Sequence, residues 1–271
     1  MRVTIQHTTR YRYETPVLSS IQVVRLTPSQ FIGQTVLEWA ITSDPMAPMP
    51  SSLDGFGNRT HLLAIHGAHQ AVGITASGTV EVEDQGGIVR GLADLVPPRV
   101  YLRQTPLTAP SGGIGPLADA LRGKETIPWL HALMTAIRDR VDYRIGVTDP
   151  RTSAADALQS GRGVCQDHAH IFIAAARHAA IPARYVTGYL LNGATGPELA
   201  HHAWAEAWVD GLGWIGFDVA NRTCPTERYV RLAAALDAQY AAPIRGSRRG
   251  GERESLSVEV IVRQAAQQQQ Q

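Results

Sequence analysis

Cys165 sits in GRGVCQDHAH (161–170), just past a glycine-rich turn and at the start of an alanine-rich apolar run. A helix opening there gives the cysteine unpaired N–H groups and about half a positive charge. Both favour thiolate over thiol, and cysteines so placed have pKa values lowered by about one to several units. The backbone N–H of Cys165 also faces the place where a carbonyl under attack would develop an oxyanion. Gly161 and Gly163 let the entering chain come close and leave room for a substrate. Free cysteine is equally at home as a small buried core residue, so the neighbouring chemistry must decide.

A thiolate nucleophile needs a base and a third group to orient it. AHHAWAEAWVDGLGWIGFDVAN (200–221) offers both. Strand alternation puts His202, Trp204, Glu206 and Trp208 on one face. Asp218 joins that face only if the hairpin pairs residues whose numbers sum to an even value. A three-residue loop, 209 to 211, sets His202 opposite Asp218, and a five-residue loop, 209 to 213, makes them diagonal neighbours. A two- or four-residue loop separates them. Trp204 either packs over the imidazole–carboxylate pair and excludes water or is plain core, and Glu206 is the rival for the orienting role. His168, one turn into the helix, is near the face of Cys165 and is a candidate for lining the pocket. Asp167 suits the helix N-terminus. Cys224, in a polar Asn-Arg-Thr context, is expected to be a bystander.

No metal or cofactor is expected. His168 and His170 are roughly 200° apart around a helix. His201 and His202 point to opposite faces of a strand. The chain has neither an HxxxH pair nor a CxxC.

The elements that must hold these groups fall into two halves. Residues 1 to about 90 are short β-branched or alternating runs with turn signals such as DGFGN and DQGG, which predicts a sandwich-like β domain. VPPRVYLRQTPLTAPSGGIG (96–115) has the composition of an interdomain linker. IPWLHALMTAIRDRV carries apolar residues at helical spacing, with Thr126 as N-cap. SAADALQSG is a short helix from Ser153 to Gly161, and the helix from Cys165 ends before Pro182. ARYVTGYL, HAWAEAWV, WIGFDVA and SLSVEVIV are strands. The expected boundaries are 1–95 for the β domain, 96–263 for the catalytic domain and 264–271 for a disordered Gln-rich tail.

A hydrophobic fraction of 44% allows a sizeable core. A formal net charge of +1 argues against nucleic acid as a partner. The one arginine cluster, Arg245, Arg248, Arg249 and Arg253, is expected to be a solvated loop. The N-terminus lacks an apolar h-region, no run is long enough to span a bilayer, and two cysteines make no disulfide framework. The expectation is a cytoplasmic protein with no membrane partner.

GVCQDHAHIFIAAARHAAIPARYVTGYL followed by HAWAEAWVDGLGWIGFDVAN resembles the bacterial transglutaminase-like superfamily, with its nucleophile, histidine and aspartate motifs in order. VDYRIGVTDPRTSAADALQSGRG and the N-terminal HTTRYRYETPV through GFGNRTH are also similar to it. The resemblance implies an α+β, papain-like core preceded by a β domain. It also implies a Cys165–His202–Asp218 triad working through a thioester on a peptide or protein substrate, as a peptidase or amidase or as an acyltransferase. One departure is Val-Ala-Asn after Asp218, where Pro-Thr-Asn is common. Gln159, six residues before the nucleophile, sits where papain-like proteases carry a glutamine, so Gln159, His168 and Trp204 are the expected substrate-binding residues.

Overall fold

The computed structural model describes residues 1–121, 125–191 and 201–265. Among them run β1 (Arg2–Val24), β2 (Gln34–Asp44), β3 (Ser51–Leu53), β4 (Arg59–Val82) and β5 (Ile88–Val89). Then come α1 (Ile114–Asp119), α2 (Thr126–Arg140), β6 (Asp142–Tyr143), α3 (Ala154–Ser160), β7 (Arg162–Gly163) and α4 (Cys165–His178). The chain continues through β8 (Ala183–Leu190), β9 (His201–Val209), β10 (Gly213–Phe217), β11 (Tyr229–Ala235), β12 (Ile244–Gly250) and β13 (Glu254–Gln264). This is the α+β architecture expected, with a strand-rich N-terminal region before the helices.

The core sheet has the order β11-β8-β9-β10-β5. β8 and β11 are buried at every residue, because α4 and the N-terminal sheet cover the core sheet from opposite sides. A strand buried on both faces needs no polar alternation. α4 packs on β9, β8 and the other three helices. Ile171, Phe172 and Ile173 are fully buried there, each contributing about 1.5–3 kcal/mol. Phe172 stacks on Phe217 of β10 at 5.1 Å, which fixes the helix against the strand that leads to Asp218. α3 begins and ends as its sequence dictates. Ser153 caps it by accepting from the Asp156 N–H, and Gly161 closes it at φ 64°. α2 starts at Thr126 with Glu125, not Thr126, at the cap position.

A second, six-stranded sheet has the order β12-β1-β4-β2, with β13 also pairing with β1 and β3 with β4, and β6 and β7 form a separate two-stranded sheet. The sandwich expected within the first ninety-five residues is completed instead by the core sheet. Val3, Ile5, Val72, Ile74 and Val80 form one apolar cluster with Tyr189, Val230, Leu232 and Ala233 of β8 and β11. Two further expectations change. The strand SLSVEVIV does form, but it lies antiparallel along β1, so sheet pairing does not follow a boundary at residue 95 or one at 263. The arginine cluster is not a loop, because Arg245, Arg248 and Arg249 lie on β12, paired to β1. The 96–115 segment is a packed seam rather than a free linker. Buried Arg177 of α4 donates to the carbonyl of Tyr101 and the hydroxyl of Thr108 within it, and also to the Ala183 and Leu236 carbonyls. Most of the expected tail lies outside the described residues.

Candidate active site

Cys165 is the first residue of α4 and is partly exposed. The turn before it is held by Asp167, whose carboxylate accepts from the Val164 N–H at 2.7 Å and from the Thr148 hydroxyl at 2.7 Å. Burial pushes the Asp167 pKa up, against those bonds. The chain passes so close that a Cβ on Gly163 would lie 2.8 Å from an Asp167 oxygen, which is why glycine stands there. Asp167 therefore has the structural role its place suggests.

His202 comes from β9 and Asp218 from just beyond β10. The hairpin pairs Trp208 with Trp214 and Val209 with Gly213. Asp218 is thus a diagonal neighbour of His202, through a turn at 210–212 that is shorter than the five-residue loop expected for that register. Gly211 and Gly213 supply the positive φ angles, 82° and 91°. His202 Nε2 donates to Asp218 Oδ2 at 2.7 Å, with His202 5% exposed and Asp218 fully buried.

Two residues that sequence reasoning passed over complete the carboxylate's shell. Asn221 Nδ2 donates to the same Oδ2 at 2.7 Å, and the Tyr229 hydroxyl donates to it at 2.8 Å. Asn221 carried a signal, as the one residue of Val-Ala-Asn that keeps the family's Pro-Thr-Asn pattern. Tyr229 sits in β11, which has no alternation to mark it.

Burial alone would lower the His202 pKa. The hydrogen bonds to Asp218 and Cys165, and the negative charges of both, outweigh it, and the imidazole is pushed up to about 10. Burial would raise the Asp218 pKa, but the bonds from His202, Asn221 and Tyr229 hold it below its ordinary value. The resting pair is an imidazolium and a carboxylate. With Nε2 taken by Asp218, Nδ1 is the ring atom left for Cys165.

The expected substrate-binding residues fare differently. Gln159 is exposed at the end of α3, where its side chain makes no described contact with Cys165, His202 or Asp218. Its place six residues before Cys165 does not bring it to the sulfur, because α3 turns away at Gly161. His168 is fully buried, and its ring nitrogens lie 2.8 and 3.0 Å from the Val164 and Val141 carbonyls. It braces the backbone below the cleft instead of lining it. Trp204 is 3% exposed and its ring is inclined 28° to the His202 ring, 6.4 Å away, with Tyr229 edge-on to it at 5.6 Å. It supports His202 from behind. His201 points to the opposite face, bonded to Thr187 and beside buried His7.

Residues 117–219, which include Cys165, His202 and Asp218, match the transglutaminase-like superfamily core, and residues 3–81 match the bacterial transglutaminase-like N-terminal region. The chain belongs to the transglutaminase-like superfamily. A relative of similar length, an uncharacterized protein of Mycobacterium leprae, is 28% identical over 96% of this chain and 97% of its own. A solved structure described as a candidate cysteine protease of Cytophaga hutchinsonii superposes with a TM-score of 0.77 at 26% identity, covering 97% of this chain and 90% of that one. A protein-glutamine gamma-glutamyltransferase of Pseudomonas aeruginosa is 32% identical over 46% of this chain and 21% of its own length.

The two cysteines of this transglutaminase-like protein should differ in reactivity. Cys165 faces a protonated imidazole, whereas burial and the nearby charge of Asp84 push the Cys224 thiol up. Iodoacetamide at pH 6 to 7, followed by peptide mapping, should place the first adduct on Cys165. Equal or preferential labelling of Cys224 would contradict the assignment.

Proposed function

We propose that this transglutaminase-like protein is a thiol hydrolase of peptide or amide bonds. The observation that carries the reading is the buried His202–Asp218 ion pair facing a cysteine at the N-terminus of α4. The Cys165 sulfur attacks the carbonyl carbon, forming a C–S bond while the carbonyl π electrons move to oxygen. As the tetrahedral species collapses, the C–N bond breaks and His202 gives its proton to the departing amine. The thioester is then attacked by water, which surrenders a proton to His202. The second collapse returns the thiolate–imidazolium pair and frees the acid. Asp218 keeps the ring oriented and its charge compensated throughout; it moves no proton.

The same acyl-enzyme yields an acyl transfer if an amine replaces water. The partial match to a glutamine gamma-glutamyltransferase favours that second reading. Hydrolysis is preferred because water needs no acceptor pocket. The deciding experiment incubates the protein with a peptide library, with and without a primary amine, and scores products by mass. Cleavage or deamidation that is indifferent to the amine supports hydrolysis. Amine-adducted glutamine as the main product overturns it.

A further inference from the structure

Asp218 is fully buried, and its described ion pair is with His202. In the acylation step His202 gives its proton to the departing amine and becomes neutral. Asp218 is then a buried anion without its counter-charge, a state that is costly unless other groups hold it. The structure supplies them. Three side-chain donors converge on the one atom Oδ2: His202 Nε2 at 2.7 Å, Asn221 Nδ2 at 2.7 Å and the Tyr229 hydroxyl at 2.8 Å. Two of the three are neutral and stay as donors when the imidazolium loses its charge.

The two neutral donors are placed differently. Asn221 belongs to the short loop that follows Asp218, closed by Asp218 and Thr223 exchanging backbone hydrogen bonds at 2.8 and 3.2 Å. Its bond is internal to that loop. Tyr229 comes from β11, where it pairs with Leu190 of β8, and it ties the loop to the core sheet. β8 lies between β11 and β9. It carries Gly188 opposite His202, and a Cβ there would lie 2.6 Å from the Trp204 ring. That gap lets Trp204 of β9 meet Tyr229 edge-on at 5.6 Å, while the Tyr229 ring is tilted 59° to the His202 ring at 6.1 Å. One side chain, 6% exposed, thus packs its ring against the base and bonds its hydroxyl to the carboxylate. Both contacts rest on sheet backbone, as a preorganised support requires.

We infer that Tyr229 is a positioning residue, which keeps Asp218 ionised and aimed at His202 through the part of the cycle in which the imidazole is neutral; this rests on the thiol-acylation reading above. The phenol gives up no proton. Burial, then the negative charge of Asp218, push its own pKa up, so it remains an O–H donor. Burial would raise the Asp218 pKa as well. The bond and charge of His202, then the bonds from Asn221 and Tyr229, hold it below the ordinary value of 3.8.

Tyr229→Phe removes only the hydroxyl and keeps the ring. Asp218→Ala removes the acceptor. The wild type, the two single variants and the double variant are compared by the burst of p-nitrophenolate released as p-nitrophenyl acetate acylates Cys165, with folding verified by circular dichroism. Tyr229→Phe should slow the burst about 10-fold at neutral pH. In the Asp218→Ala background the same change should cost less than about twofold, whereas a purely structural role would cost the same in both. The pH profile is the second readout, and it decides alone if Asp218→Ala does not fold. His202, pushed up to about 10, stays charged and Tyr229 stays neutral as the pH is lowered, so neither titratable partner of Asp218 changes state. With one donor fewer, Asp218 loses its charge at a higher pH, and the ratio of wild-type to variant rate should widen as the pH falls toward 3.8. A Tyr229→Phe burst within about twofold of wild type, equal slowing in both backgrounds, or a ratio flat with pH overturns the role. If iodoacetamide alkylates Cys165 of the wild type but no burst is seen, the acylation reading alone fails, and the same comparison run on alkylation rates decides the role of Tyr229. If neither occurs, both fail.

Discussion

Alanine at Cys165 should leave no acyl-enzyme detectable by intact mass, and alanine at His202 should be nearly as damaging. Members of a nucleophile–base unit act together, so losing either costs about as much as losing both, on the order of 10⁵- to 10⁶-fold in a serine-protease triad. His202→Ala has an added cost here, because it leaves the fully buried Asp218 carboxylate with only the Asn221 and Tyr229 side-chain donors. Asp218→Asn should be milder. It keeps the shape but turns an N–H toward groups that themselves donate. A cysteine nucleophile is intrinsically more reactive than serine and depends less on the carboxylate than a serine triad does, so the loss should be about 10- to 1000-fold. The check is the p-nitrophenyl acetate burst for all three variants, with folding verified by circular dichroism. A His202→Ala protein that retains more than about a tenth of the burst rate would remove His202 from the role of base.

Glu206→Gln should unfold the protein far more readily while sparing the chemistry of the molecules that stay folded. Glu206, the sequence-level rival of Asp218, is fully buried and engaged elsewhere. Arg184 Nε donates to it at 2.6 Å and Arg231 Nε at 2.8 Å, while Arg184 also donates to Asp94 and its guanidinium lies 3.9 Å over the Trp214 ring. Burial would raise the Glu206 pKa, but the two arginines outweigh it and hold it at about 2. Neutralising the carboxylate leaves two buried cations short of a counter-charge, a change that costs about 3–5 kcal/mol. Urea unfolding at pH 7 measures it. The folded-state pKa is depressed, so the ionised carboxylate's contribution is complete above the ordinary value of 4.5 and fades as the pH falls toward 2. The gap between wild type and variant should narrow over that range. Loss of the burst in a folded Glu206→Gln protein that Asp218→Asn does not show would transfer the orienting role to Glu206.

The parts of the site legible in the sequence are those fixed by local rules. Glycines, a serine cap and a stretch ending before a proline locate α3 and α4, and with them Cys165. Strand parity states which hairpin registers put His202 and Asp218 on one face, and the resemblance to the family picks between them. What sequence reasoning missed depends on contacts between distant segments. Tyr143 lies beside the turn before Cys165 because β6 pairs parallel with β7 at Gly163, and Tyr229 reaches Asp218 from a strand whose uniform burial erases periodicity. β12, Ile-Arg-Gly-Ser-Arg-Arg-Gly, has poor strand propensity and is extended because β1 offers it a pairing edge. His168 shows the converse. Its spacing from Cys165 is right for a pocket residue, yet the fold turns it inward to the backbone.

The pairing of β12 and β13 with β1 also bears on the history of each molecule. Ribosomal synthesis delivers β1 early and its two edge partners late, with the whole helical core made in between. Until they arrive, much of one side of a 23-residue strand has unpaired N–H and C=O groups, an edge open to intermolecular pairing. The core sheet meanwhile draws its cover from β1 and β4, through Tyr189, Val230 and Leu232. Closure of the cover therefore waits on contacts between opposite ends of the chain, the slowest kind to form. The nascent protein thus carries its cysteine well before it carries a finished shell.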